Sequence, residues 1–208
     1  HYNGFGLSLL YHSTKEYYNS FSKNDGFSLS VTYSKDLKRF GSNFDSKTVF
    51  FEYKHYIPIF RPNVLSFRLA VIKSWGENER RIFMGGAETV TTSDPQKHKF
   101  FGLMRGYPSG FFMGTTGYLL NTEYRISLKR IEDSILILPY IERLYLTLFA
   151  DIGELLLKKN FTKPSVSLGA EFNVKFNFKT PLTLSCGIAK GKNPRHNWIY
   201  YIRVENAF

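Results

Sequence analysis

The sequence predicts an all-β fold, an antiparallel transmembrane β-barrel, and three observations carry that prediction. The first is parity. Val166, Leu168, Ala170, Phe172, Val174, Phe176 and Phe178 alternate with Ser165, Ser167, Gly169, Glu171, Asn173, Lys175 and Asn177. Leu182, Leu184, Cys186 and Ile188 then alternate with Thr183, Ser185, Gly187 and Ala189, and Trp198, Tyr200, Ile202 and Val204 close the chain. Period-two patterning means two-faced strands, and strands of about 9–11 residues with one apolar and one wet face are what a membrane barrel requires. The second observation is that the 208 residues hold 20 Phe, 14 Tyr and 2 Trp while mean hydropathy stays at −0.25. Half-polar strands with many aromatics give that combination. The third is the lack of an apolar run of about 20 residues, which a helical span would need; the longest candidate, Ser134 to Ile141, is short and carries Pro139. A soluble β-sandwich or lipocalin-like barrel also alternates and is the competing fold.

About nine strands follow in order. The first runs from Phe5 to His12 with Phe5, Leu7, Leu9 and Tyr11 on one face. A polar turn ends at Asn24-Asp25-Gly26, where glycine tolerates a positive φ. Phe27, Leu29, Val31 and Tyr33 form one face of the second strand, and a basic loop is expected over Lys35 to Lys47. Val49, Phe51 and Tyr53 face outward in the third strand, with Glu52 and Lys54 inward. Pro58 and Pro62 bracket a short turn, where a missing N–H costs little. Leu65, Phe67, Leu69 and Val71 form the outer face of the fourth strand; Ser66 and Arg68 point inward. Alternation collapses from Glu77 to Met113, a loop far beyond hairpin length, and such loops are commonly functional. Strands resume near Gly117, with Leu120, Thr122, Tyr124, Ile126 and Leu128 outward and Asn121, Glu123, Arg125 and Ser127 inward. In the sixth strand Leu144, Leu146 and Leu148 oppose Arg143, Tyr145, Thr147, Phe149 and Asp151. The three strands of the opening observation end the barrel, and Tyr140, Trp198, Tyr200 and Phe208 would suit interfacial girdles.

The net charge of +11 and pI near 9.6 suggest nucleic acid at first sight. The basic residues are scattered over lumen parities and loops (Lys35, Lys38, Arg39, Lys190, Lys192), without a basic helix or an RNA-binding motif, so no nucleic acid is expected. Anionic lipid headgroups or a cationic lumen account for the charge as well. Cys186, the only cysteine, allows no intrachain disulfide and shares parity with Leu184 and Ile188. Enzyme chemistry finds no support. His1, His12, His55, His98 and His196 lack metal-ligand spacing, Ser109 lacks a nucleophile elbow, and the glycine-rich stretch from Gly102 to Gly117 lacks a phosphate-loop lysine. No catalytic residue, cofactor or metal is expected.

The long loop carries Phe83-Met84-Gly85-Gly86 and then Met104-Arg105-Gly106-Tyr107, and a later strand carries Phe149-Ala150-Asp151-Ile152-Gly153. In these motifs the chain resembles the Omp85 superfamily: outer-membrane insertases of the BamA type and two-partner-secretion transporters, also known as bacterial surface antigen (D15) barrels. The pattern there is Gly-Gly, then Val/Leu-Arg-Gly-Phe/Tyr, then Phe-x-Asp-x-Gly, and Met104 stands here where Val or Leu is usual. The resemblance extends over the whole chain, including Tyr56-Ile57-Pro58 and the terminal Phe208.

It implies a barrel of about 16 strands in the bacterial outer membrane, of which residues 1–208 supply the last nine or so. The loop at about 77–113 would fold into the lumen, with Gly85, Gly86, Met104, Arg105, Gly106 and Tyr107 as its motif and Phe149, Asp151 and Gly153 as the strand motif receiving it. A guanidinium can clamp a carboxylate bidentately; Asp151 is the first-choice partner of Arg105, and Glu171 and Glu123 are second choices. Tyr200, Ile202, Val204 and Phe208 would form the terminal assembly signal.

The implied activity is insertion or translocation of polypeptides across the outer membrane. Implied partners are outer-membrane lipid and lipopolysaccharide, substrate polypeptides, amino-terminal POTRA modules and periplasmic accessory proteins. A barrel that anchors or exports its own amino-terminal enzyme, a lipase or peptidase, is the alternative; a passive porin would not need the Arg and Asp motifs. An odd number of strands leaves two open edges, which lipid does not satisfy. Strands preceding His1, or further copies, are therefore expected to complete the barrel.

Overall fold

The long alternating segments fold as long strands. The computed structural model describes residues 3–16, 23–60, 62–77, 79–87, 100–130, 141–157, 164–176, 182–192 and 197–206. Its strands are β1 (Gly4–Lys15), β2 (Asp25–Asp36), β3 (Ser46–Pro58), β4 (Val64–Gly76), β5 (Ile82–Met84), β6 (Phe100–Gly102), β7 (Phe112–Gly114), β8 (Thr116–Arg130), β9 (Ile141–Leu156), β10 (Ser165–Phe176), β11 (Leu182–Gly191) and β12 (Ile199–Asn206). Nine of them form one antiparallel sheet in the order β1-β2-β3-β4-β8-β9-β10-β11-β12. Among the described residues no helix is long and apolar enough to cross a membrane.

Neighbouring strands are neighbours in sequence except where the long loop intervenes between β4 and β8, which pair directly from Val64↔Arg125 to Lys73↔Thr116. The sheet is open, with β1 and β12 as its edges. It curls enough for Leu10 on β1 and Arg203 on β12 to line one polar cavity of about 580 Å³.

Side-chain burial inverts the usual arrangement of a water-soluble sheet. The polar face is the covered one: Thr147, Glu171, Asn173 and Ser185 are all at most 2% exposed. The apolar face is bare, with Leu7 at 74%, Leu168 at 59% and Tyr200 at 76%. Cys186 lies exposed on that outer face.

The loop covers part of the polar inner face. Its three short strands form a separate sheet in the order β6-β5-β7, with β5 parallel to β6 and antiparallel to β7. Strands of three residues are too short to print a period in the sequence, so the expectation of an irregular loop over Glu77 to Met113 missed them. Beneath this small sheet the inner face of the large one turns apolar. Ile82, Met84, Phe101, Met104 and Tyr107 of the loop bury against Ala70, Ile72, Leu119 and Leu155. Full burial of a side chain such as Ile82 or Met84 contributes about 1.5–3 kcal/mol, and this cluster is one of the contacts that hold the loop on the sheet.

Two local expectations are corrected. Asp25 and Gly26 belong to the β1–β2 ladder, paired with Lys15 and Thr14, not to a turn tip. Gly26 does have a positive φ, 95°. The basic loop is shorter than Lys35 to Lys47, because β2 runs to Asp36 and β3 begins at Ser46. The connection holds a 3₁₀ turn, Lys38–Phe40, closed by Gly41. Lys35 and Lys47 are therefore strand residues on the outer face, and so is Lys190, which shares parity with Ile188 on β11. Phe178 and Tyr140 lie outside the described residues.

Candidate functional site

Arg105 follows β6 in the loop, and two neighbours fix its position. Met104 forms an isolated antiparallel bridge with Gly86, and the Gly86 N–H donates to the Tyr107 carbonyl at 3.0 Å. Gly106 has φ 86°, a conformation glycine adopts without steric cost. A Cβ there would sit 2.8 Å from the backbone nitrogen of Gly191, so any side chain would lift the loop off the β10–β11 end of the sheet. Tyr107 next to it donates its hydroxyl to the Val166 carbonyl at 3.1 Å. Its ring lies over Gly191, where a Cβ would approach the ring to 2.6 Å.

The Arg105 guanidinium is 1% exposed and points at the large sheet. Its Nε donates to Asp151 Oδ2 at 3.0 Å and its Nη2 to Asp151 Oδ1 at 2.8 Å, a bidentate fork. The Arg105 backbone N–H donates to the same Oδ2 at 3.0 Å. Nη1 reaches two further carboxylates, Glu123 Oε1 at 2.8 Å and Glu171 Oε1 at 3.3 Å. The guanidinium carbon lies 3.6 Å from the centroid of the Phe149 ring, a cation–π contact in a desolvated place. Burial works against the charge, but Asp151, Glu123 and Glu171 together hold the Arg105 proton more firmly than water does.

Period-two geometry explains why these groups meet. Glu123 on β8, Asp151 and Phe149 on β9 and Glu171 on β10 all have inward parity, and the registers Asn121↔Asp151, Glu123↔Phe149 and Gly169↔Phe149 set them side by side. Gly169 makes room for the ring: a Cβ there would come within 2.4 Å of Phe149 Cζ. Gly153, the last member of the strand motif, lies under the loop, where a Cβ would approach Met84 Sδ to 3.3 Å.

Each carboxylate has a second cation or donor. Glu123 receives Arg125 at 2.7 Å, Glu171 receives Arg203 at 3.1 Å, and Asp151 accepts from Asn121 Nδ2 at 2.8 Å. Three guanidiniums thus face three carboxylates, and the buried charge balances, which is the condition for a buried ionic cluster to be tolerated. Asn121 also donates to the Leu103 carbonyl of the loop at 3.0 Å. It accepts from Arg68 at 3.0 Å, and Arg68 in turn pairs with Glu52 at 2.7 Å.

Motif reasoning passed over Asn121, Gly169, Gly191, Tyr201 and Arg203. Their shared signal is inward parity in a strand. On β12 the expected assembly-signal residues Tyr200, Ile202 and Val204 point outward and lie exposed on the opposite face, away from the cluster; Phe208 lies outside the described residues. The inward ones make the contacts: Tyr201 donates to Glu171 Oε1 at 2.6 Å and Arg203 to Oε2 at 3.1 Å.

No family model matches the chain, and no curated protein does.

Glu171 consequently joins two things that a sequence reading keeps apart, the loop arginine and the edge strand β12. Glu171→Gln is expected to weaken both attachments, since hydrogen bonds to charged groups contribute about 1.5–3 kcal/mol. Hydrogen exchange should speed up together in β12 and in the loop around Arg105. Faster exchange in only one of them would refute the coupling.

Proposed function

We propose that this chain is the carboxy-terminal part of an Omp85-type outer-membrane β-barrel that inserts or translocates polypeptides. The observation that carries the reading is the buried clamp of Arg105 by Asp151, Glu123 and Glu171, which seats a long loop on the polar face of a sheet with two open edges. A loop held this way gates an interior and needs no catalytic residue. An edge strand offers unpaired backbone groups to an incoming strand, so β12 or β1 could template a substrate while the loop closes the lumen.

The membrane location is supported by the inverted burial of the sheet. Soluble monomers rarely expose contiguous apolar patches beyond a few hundred Å², whereas here the outward rows of β1, β10 and β12 are apolar and bare. Hydrocarbon is the solvent that suits such a face, and a wet lumen suits the polar one. Lipid and substrate polypeptide are accordingly the proposed partners.

The test uses the native gene product. It should fractionate with outer membranes and resist extraction by urea. Its depletion should reduce either the assembly of many other barrels, as an insertase requires, or the secretion of one cognate polypeptide, as a transporter requires. A product that fractionates as a soluble protein would overturn the membrane reading. A product whose loss abolishes only the surface display of a hydrolase on its own chain would replace translocation of other polypeptides with the anchored-enzyme alternative.

A further inference from the structure

The outward face carries an unexpected cluster at the end of the sheet where β2 turns into β3 and β4 runs into the loop. Lys35 stands directly opposite Lys47 across the β2–β3 ladder. Lys47 is opposite Trp75, and Lys73, two residues earlier on β4, is opposite Val49. Lys47 therefore has Lys35 beside it and Lys73 diagonal to it on one face, about 5 and about 7–8 Å away, while Lys35 and Lys73, two strands apart, are about 12 Å from each other. Like charges directly opposite each other in a sheet are destabilising. Among the described residues none of the three has an ion-pair partner, because the carboxylates of that rim are engaged elsewhere. Asp36 takes Ser46 and Arg80, Asp45 accepts from the Lys38 N–H, and Glu77 pairs with Lys38.

The cluster also sits at a boundary. Phe5 lies opposite Lys35, and below it Leu7 and Leu9 continue the outer face of β1, 74% and 69% exposed. Val71 and Leu69 continue it below Lys73, also exposed. Tyr33 lies two residues from Lys35 on the same face, and Trp75 two residues beyond Lys73. Cations above, aromatics beside them and bare aliphatic rows underneath are complementary to an amphiphile with an anionic head and hydrocarbon tails.

We propose that Lys35, Lys47 and Lys73 bind the phosphate of a phosphorylated membrane lipid headgroup, with its acyl chains along the outer rows of β1 and β4. This rests on the membrane reading above and adds to it a named lipid site. The continuity of the cluster with the apolar rows is what favours a lipid over a free anion, since an isolated phosphate would leave those rows bare.

The native protein is placed in phosphatidylcholine nanodiscs containing a few per cent of bisphosphorylated lipid A, or the same lipid with its phosphates removed. Bound lipid is then counted by native mass spectrometry across a titration. Wild type should retain the phosphorylated lipid preferentially, with an affinity that falls as salt rises. The triple variant Lys35→Gln, Lys47→Gln, Lys73→Gln should lose about fivefold per lysine, about 100-fold in all. In neutral detergent the variant should melt no lower than wild type, since it relieves like-charge apposition.

Equal retention of both lipids by wild type, or undiminished binding by the triple variant, would overturn the site. Displacement of the lipid by an equal concentration of inorganic phosphate would overturn the lipid as occupant. A protein that does not enter the discs removes the membrane reading itself and this site with it, whereas entry with unchanged binding in the variant removes the site alone.

Discussion

Arg105→Ala is expected to unseat the loop, at a cost of about 3–5 kcal/mol, and to abolish whatever transport or insertion the barrel performs. The substitution leaves Asp151, Glu123 and Glu171 converging without the cation they share. Asp151→Ala should cost less, because Arg105 keeps Glu123 and Glu171 as partners. In a double-mutant cycle the two changes should be strongly non-additive, as members of one buried network are. Arg105→Lys should not rescue, since an ammonium cannot reproduce the fork on Asp151 or stack on Phe149. Protease sensitivity of the loop is the direct readout, with secretion or barrel assembly beside it. Additive losses, or a lysine variant indistinguishable from wild type, would show that the clamp does not seat the loop.

Leu69→Arg is expected to cost about 2–4 kcal/mol in membrane insertion. Leu69 is central in β4, points outward and is exposed, and it stands between Tyr53 and Leu120 across the ladders. In water an exposed leucine can become arginine within about 0.5 kcal/mol; in hydrocarbon it cannot. Ser30→Arg is the matched control, because Ser30 lines the polar cavity and an added guanidinium there stays wet. The pair of variants therefore distinguishes the two solvents directly. Defective insertion of the Leu69 variant beside normal insertion of the Ser30 variant is the expected result, measured as the folded fraction on titrating urea from vesicles. Equal behaviour of the two would mean that the apolar face does not meet lipid.

Much of this arrangement is legible along the chain, and particular residues show why. Leu65, Phe67, Leu69 and Val71 had to share a face because consecutive strand side chains point to opposite sides. Ser66 and Arg68 had to take the other face for the same reason. The nine long strands, the outward and inward sets of β8, β9 and β10, and the need for glycine at Gly106 all follow from local geometry of this kind. The motifs singled out Arg105 and ranked three carboxylates as alternatives; in the fold it holds Asp151, Glu123 and Glu171 at once.

Parity assigns a residue to a face but leaves its neighbours open. Register decides that Lys35 meets Lys47, and that Phe149 covers Gly169. The descent of the loop onto the sheet decides that Ile82 and Met84 bury against Ala70 and Leu119. The three-residue strands β5 to β7 exist only as partners of one another, which is why no period announces them. The bond between Tyr201 and Glu171 likewise spans three strands, from β10 across β11 to β12. By itself, then, the sequence determined the two faces and the order of the strands, because side-chain direction is a property of each residue and its immediate neighbours. The convergence of one loop arginine on three strands, and the cluster of lysines on the outer rim, were decided by the tertiary structure, because they depend on cross-strand register and on where a long loop comes to rest.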